Sequence, residues 1–97
     1  MKKFETIDEV RELIDLIDDK ILNLIAERKN LVTEAVRLKS KDQIVDYERI
    51  KKIIQKLSKQ AGEKKLPDGL VEKIWNTMIQ EFIEYERKIY DDIHKKT

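Results

Sequence analysis

Ninety-seven residues, 42% of them charged and 40% hydrophobic, suffice for one domain around one modest core. The 21 basic residues are balanced by 20 acidic ones, so a net charge of +1 supplies no field for gathering nucleic acid or an anionic membrane. Cysteine is absent, which excludes disulfides, thiolate metal sites and cysteine nucleophiles.

Residues 1–7 lack the apolar stretch of a signal peptide, and no apolar run approaches the ~20 residues that cross a bilayer. A cytoplasmic address is therefore expected. The two glycines and the single proline all occur between positions 62 and 69, which leaves one strongly punctuated region in a chain otherwise free to be helical.

The motif Thr6-Ile-Asp-Glu9 reads as a capping box that starts a helix. Apolar residues follow at Val10, Ile14, Ile17, Ile21, Leu24, Leu31, Ala35 and Leu38, a 4-3-4-3 spacing that marks one buried seam and predicts helix over 7–39. Ser40-Lys-Asp-Gln43 is a polar connection. Asp46 can then cap a short helix with Ile50, Ile53, Ile54 and Leu57 on its apolar face, ending near Ala61-Gly62. Asp68 is the expected cap of a third helix, reaching about position 93. Its buried side is expected to carry Leu70, Val71, Ile74, Trp75, Met78, Ile79, Phe82, Ile83, Ile89, Tyr90 and Ile93.

The expected class is therefore all-α, long, short, long, with residues 1–97 as one domain. A first helix of roughly 33 residues would be ~50 Å long, against ~26 Å for the diameter of a compact monomer of this size. Its seam is expected to need a second chain.

Two residues break the apolar pattern. Arg28 occupies the seam position between Leu24 and Leu31. A guanidinium there needs an anion, either a protein carboxylate such as Glu27 or Glu34 or a bound ligand. Arg11 and Lys39 border the same seam; either, taken alone, could be a solvated edge charge. Arg28 and Lys39 are roughly 16 Å apart along the helix, so both could lean toward one small anion. Arg11 is roughly 25 Å from Arg28 and would have to come from an antiparallel partner chain, which implies two shared sites in a two-fold dimer.

Glu86 falls in the apolar stripe of the third helix, between Phe82 and Ile89. It is expected either to pair with a buried base such as Arg28 or to serve as a hydrogen-bonding group in an apolar pocket. His94 has no second histidine for a metal site, and the Lys51-Lys52, Lys64-Lys65 and Lys95-Lys96 pairs read as solvated faces. Trp75, Met78 and Phe82 have the spacing of core residues.

With these residues in place, the chain resembles the all-helical chorismate mutases, intertwined homodimers of three helices per chain with two identical active sites. The most specific part is Val10-Arg-Glu-Leu-Ile-Asp-Leu-Ile-Asp-Asp-Lys20, continuing through Leu24-Ile-Ala-Glu-Arg28 to Leu38-Lys39; Ile74-Trp75 followed by Glu86 resembles the family's third helix.

The resemblance implies that Arg11 of one chain and Arg28 of the other hold the two carboxylates of chorismate. It makes Lys39, Glu86 and Arg28 the catalytic groups, Lys39 and Glu86 bonding the ether oxygen. Asp46 matches the position whose backbone and neighbourhood meet the ring hydroxyl, and Ile50 and Phe82 are placed among the substrate-binding residues. No metal or cofactor is implied. One departure is Ile50, where most members carry Glu; the isochorismate-pyruvate lyases of the same fold also have an apolar residue there, which makes that activity the alternative. A non-catalytic helical dimerisation module is the contrasting class, and the two buried charges weigh against it.

Overall fold

The computed structural model describes residues 3–95; Met1, Lys2, Lys96 and Thr97 lie outside them, so one half of the Lys95-Lys96 pair has no structural counterpart here. The described residues form an all-α chain without strands: α1 (Ile7–Leu38), a single 3₁₀ turn (Lys41–Gln43), α2 (Tyr47–Glu63) and α3 (Leu70–Lys95). They fall into two compact units, one ending at Leu31 and one beginning at Val32. No helix among them is long and apolar enough to cross a membrane.

The first unit is the N-terminal part of α1. Its start follows the expected cap in half: the Glu9 amide donates to Thr6 Oγ1 at 3.3 Å, while the Glu9 carboxylate accepts from the amide of Glu5 instead of closing the box on Thr6. The seam expected to be buried is not covered by the chain's own residues. Ile14, Ile17, Ile21 and Leu24 remain 49 to 62% exposed. A lone helix has nothing to put against its apolar face, and the 3.6-residue period only aligns the side chains.

The second unit contains the end of α1, the 3₁₀ turn, α2 and α3. The polar linker is more ordered than its composition suggests, because the Ser40 amide donates to Gln43 Oε1 at 2.9 Å and the Gln43 amide returns to the Ser40 carbonyl at 3.0 Å. This turn drops Ile44 into the core. Asp46 caps α2 as expected, accepting from the Arg49 amide at 3.0 Å.

α2 ends at Glu63, near the expected Ala61-Gly62; the left-handed conformation is taken by Lys65, at φ 57°, with the Leu66 amide reaching back to the Ala61 carbonyl at 3.0 Å. The start of α3 differs from the expectation. Gly69 at φ 78° immediately precedes the helix, its carbonyl accepting from Lys73, so Asp68 is one position too early to be the cap.

The core is built where α2 packs against α3. Ile44, Ile79 and Ile83 are its centre, with Val45, Ile50, Ile53, Ile54, Trp75 and Tyr90 packed around them. Leu70 and Ile74, expected on the buried side, are 40% and 48% exposed. They fall to one side of the stripe Val71, Trp75, Ile79, Ile83, Glu86 and Tyr90, because α3 is apolar over a wider arc than its intramolecular contacts cover.

Candidate active site

Lys39 is the residue after the last turn of α1, and Glu86 lies in α3 two turns beyond Ile79. The second unit brings them together: Lys39 Nζ donates to Glu86 Oε1 at 2.9 Å. Glu86 is only 5% exposed, whereas Lys39 keeps about a third of its side chain in solvent. A carboxylate placed in an apolar stripe is tolerated when a cation is in hydrogen-bonding contact, and here the long lysine stem carries that cation in from the end of α1. The base that pairs with Glu86 is thus Lys39, one of the alternatives left open by the sequence. Oε1 accepts from the ammonium, so a proton donated to a ligand would have to be carried on Oε2. The ammonium has three N–H donors, of which this bond uses one.

Between α1 and α3 there is a second polar contact that the sequence did not reveal. Thr33 Oγ1 and Tyr85 Oη are 2.7 Å apart, and Tyr85 meets Phe82 edge to face with ring centroids 6.3 Å apart. Neither hydroxyl interrupts an apolar stripe, which is why pattern alone did not single them out. Phe82 is half-buried one turn before Glu86. Asp46 is committed to capping α2, and Ile50, one turn later, packs on the Ile44 cluster. A groove of about 480 Å³ lined by Lys41, Asp42, Ile44, Val45 and Arg87 contains none of the predicted site residues.

Arg11 and Arg28 belong to the first unit. Arg11 is exposed, with Asp8 at 3.9 Å on the preceding turn, a contact of little energetic weight. Arg28 differs from its surroundings: between Arg11 and Leu31 it is the one residue shielded to an intermediate degree, and its Nη1 is buried. On a continuous helix the two arginines are ~25 Å apart, too far for both to hold one small molecule from the same chain.

A partly exposed lysine ammonium held in place by a buried glutamate suits polarising a small anionic molecule. The family model for chorismate mutase type II matches residues 10–87, and the chain belongs to that family. It is similar to the chorismate mutase of Methanocaldococcus jannaschii, at 31% identity over 94 residues, covering 95% of this chain and 95% of that protein. It is also similar to the bifunctional chorismate mutase/prephenate dehydratase of Buchnera aphidicola, at 33% identity over 81 residues, covering 81% of this chain. The chain spans 21% of that longer protein. No solved structure matches it significantly. Membership of this family makes the chain an isomerase of the chorismate mutase type, and neither relative is described as an isochorismate-pyruvate lyase.

Proposed function

We propose that the chain converts chorismate to prephenate, in the cytoplasm and as a step of aromatic amino acid synthesis, in two active sites shared by two copies of itself. The observation that carries this reading is the Lys39–Glu86 pair, a cation held in place by a buried carboxylate within the span matched by the family. The reaction is a cyclic reorganisation in which the ether C–O bond breaks as a C–C bond forms, without proton transfer, nucleophile or cofactor. What a protein can add is selection of the folded conformer and fixed charge at the oxygen where negative charge grows.

In this proposal Arg11 from one copy and Arg28 from the other hold the two carboxylates. Lys39 and Glu86 bond the ether oxygen, the backbone and neighbourhood of Asp46 meet the ring hydroxyl with Ile50 one turn on, and Phe82 lines the pocket. The uncovered stripe on α1 supports a homodimer, since so much aligned apolar surface favours association. The reach from Arg11 to Arg28 supports sites built from both copies.

The test is incubation of the purified protein with chorismate and, separately, isochorismate, with products identified by NMR. Prephenate from chorismate is expected. Salicylate and pyruvate from isochorismate, with chorismate untouched, would replace the mutase with the lyase. Turnover of neither by the folded protein would leave a helical dimerisation module.

A further inference from the structure

Residue 94 lies beyond the span matched by the family, yet it contacts the segment that carries Lys39. His94 Nε2 is 2.9 Å from the Val36 carbonyl oxygen. Val36 is fully buried, and its carbonyl is among the last four of α1, which have no intrahelical amide four residues on. Its backbone partner is the Lys39 amide, three residues ahead at 3.3 Å, a long bond that leaves room for a second donor on the oxygen. A carbonyl only accepts, so His94 must carry its proton on Nε2.

Tyr90 and His94 stack with centroids 4.0 Å apart and planes 21° from parallel, so the imidazole is held on α3 before it reaches across. Glu86, Tyr90 and His94 are spaced i, i+4, i+8 and share one face of α3. That face therefore grips the end of α1 at two points, the Val36 carbonyl through His94 and the Lys39 ammonium through Glu86.

We propose that His94 is a positioning residue for Lys39. Donation to the Val36 carbonyl fixes the final turn of α1 against α3, which sets where the lysine stem leaves the backbone and hence where the ammonium is presented. The inference rests on the reading of Lys39 as the group that bonds the ether oxygen. An ammonium that meets charge growing in the transition state contributes to kcat more than to KM, so loosening it should appear in kcat.

The experiment compares chorismate turnover by His94→Phe, which keeps a ring to stack on Tyr90 but has no donor, with His94→Gln, whose amide can restore an N–H near the same place. Lys39→Ala is measured alongside. His94→Phe should lose about tenfold in kcat with KM within about twofold, and His94→Gln should return to within about threefold of wild type. Full turnover by His94→Phe beside an inactive Lys39→Ala overturns the positioning role alone, as does a His94→Gln no better than His94→Phe. Full turnover by Lys39→Ala overturns the underlying reading together with this one. Should His94→Phe fail to fold, the wild-type protein decides. His94 is the single histidine, so imidazole ¹⁵N spectra at alkaline pH report on it alone. The Nε2–H tautomer is expected, and the Nδ1–H tautomer overturns the proposal.

Discussion

Over residues 14–24, α1 repeats apolar side chains every three or four positions and leaves them about half exposed; over residues 71–83, α3 repeats them at similar spacing and buries Val71, Ile79 and Ile83 to 8% exposure or less. The two segments have the same pattern and opposite fates. Periodicity states which face of a helix is to be buried, whereas coverage depends on what the rest of the chain can bring to it. α2 is short and follows a tight connection, so it packs back on α3; the first unit has only its own helix.

The largest effect that would sharpen this contrast concerns the arginines on the uncovered segment. Arg28→Ala and Arg11→Ala should each lower kcat/KM by about 10³-fold or more if both side chains hold substrate carboxylates. Mixed and refolded together, the two inactive proteins should recover roughly a quarter of wild-type turnover, because half of the dimers formed at random would be hybrids with one intact site each. Confirmed hybrids without activity would break the shared-site proposal.

Next in size is Glu86, the charge on the covered face. Glu86→Ala should cost about 10²-fold, since it removes a ligand-bonding group and the carboxylate that fixes Lys39. If Glu86 bonds the ether oxygen through a hydrogen on its free oxygen, Glu86→Gln, whose amide also donates, should stay within about tenfold of wild type in kcat/KM. A Glu86→Gln protein as poor as Glu86→Ala would leave the residue as an anchor for Lys39 only.

A smaller effect compares the two apolar stripes directly. Ile83→Ala, in the core, should destabilise by about 3 kcal/mol. Ile21, 49% exposed within one chain, should cost under about 0.5 kcal/mol if solvent is its real neighbour, but about 2 to 4 kcal/mol with increased dissociation if a second copy covers it. Chemical denaturation and sedimentation would separate the two, and a negligible Ile21→Ala effect would remove the support for the dimer.

The smallest effect is electrostatic and belongs to the contact of α2 with α3. The Ser58 side chain, followed by the Glu72 backbone, holds the Glu72 carboxyl below its ordinary 4.5. A lowered carboxyl adds stability above the unfolded-state value, and that contribution is lost as pH falls through the folded-state value. The melting temperature of wild type should therefore exceed that of Ser58→Ala at pH 7, and the gap should narrow below pH 4.5. A gap independent of pH would show that Ser58 acts through packing.

Much of this architecture could be read from the chain alone, because local rules govern it. The starts of α1 and α2 follow from Thr6 and Asp46, whose side-chain oxygens satisfy free amides within three residues. Arg28 and Glu86 stood out because a charge in an apolar stripe violates the period, and both proved shielded. Other features needed the folded chain. The left-handed turn at Lys65, and Gly69 rather than Asp68 immediately before α3, belong to the folded connection between α2 and α3. The partner of Glu86, the Thr33–Tyr85 contact and the grip of His94 on Val36 pair residues 47 to 58 positions apart. Sequence periodicity orders side chains around one helix, but a hydrogen bond between helices depends on distance and angle across the packed interface, and only tertiary packing sets those.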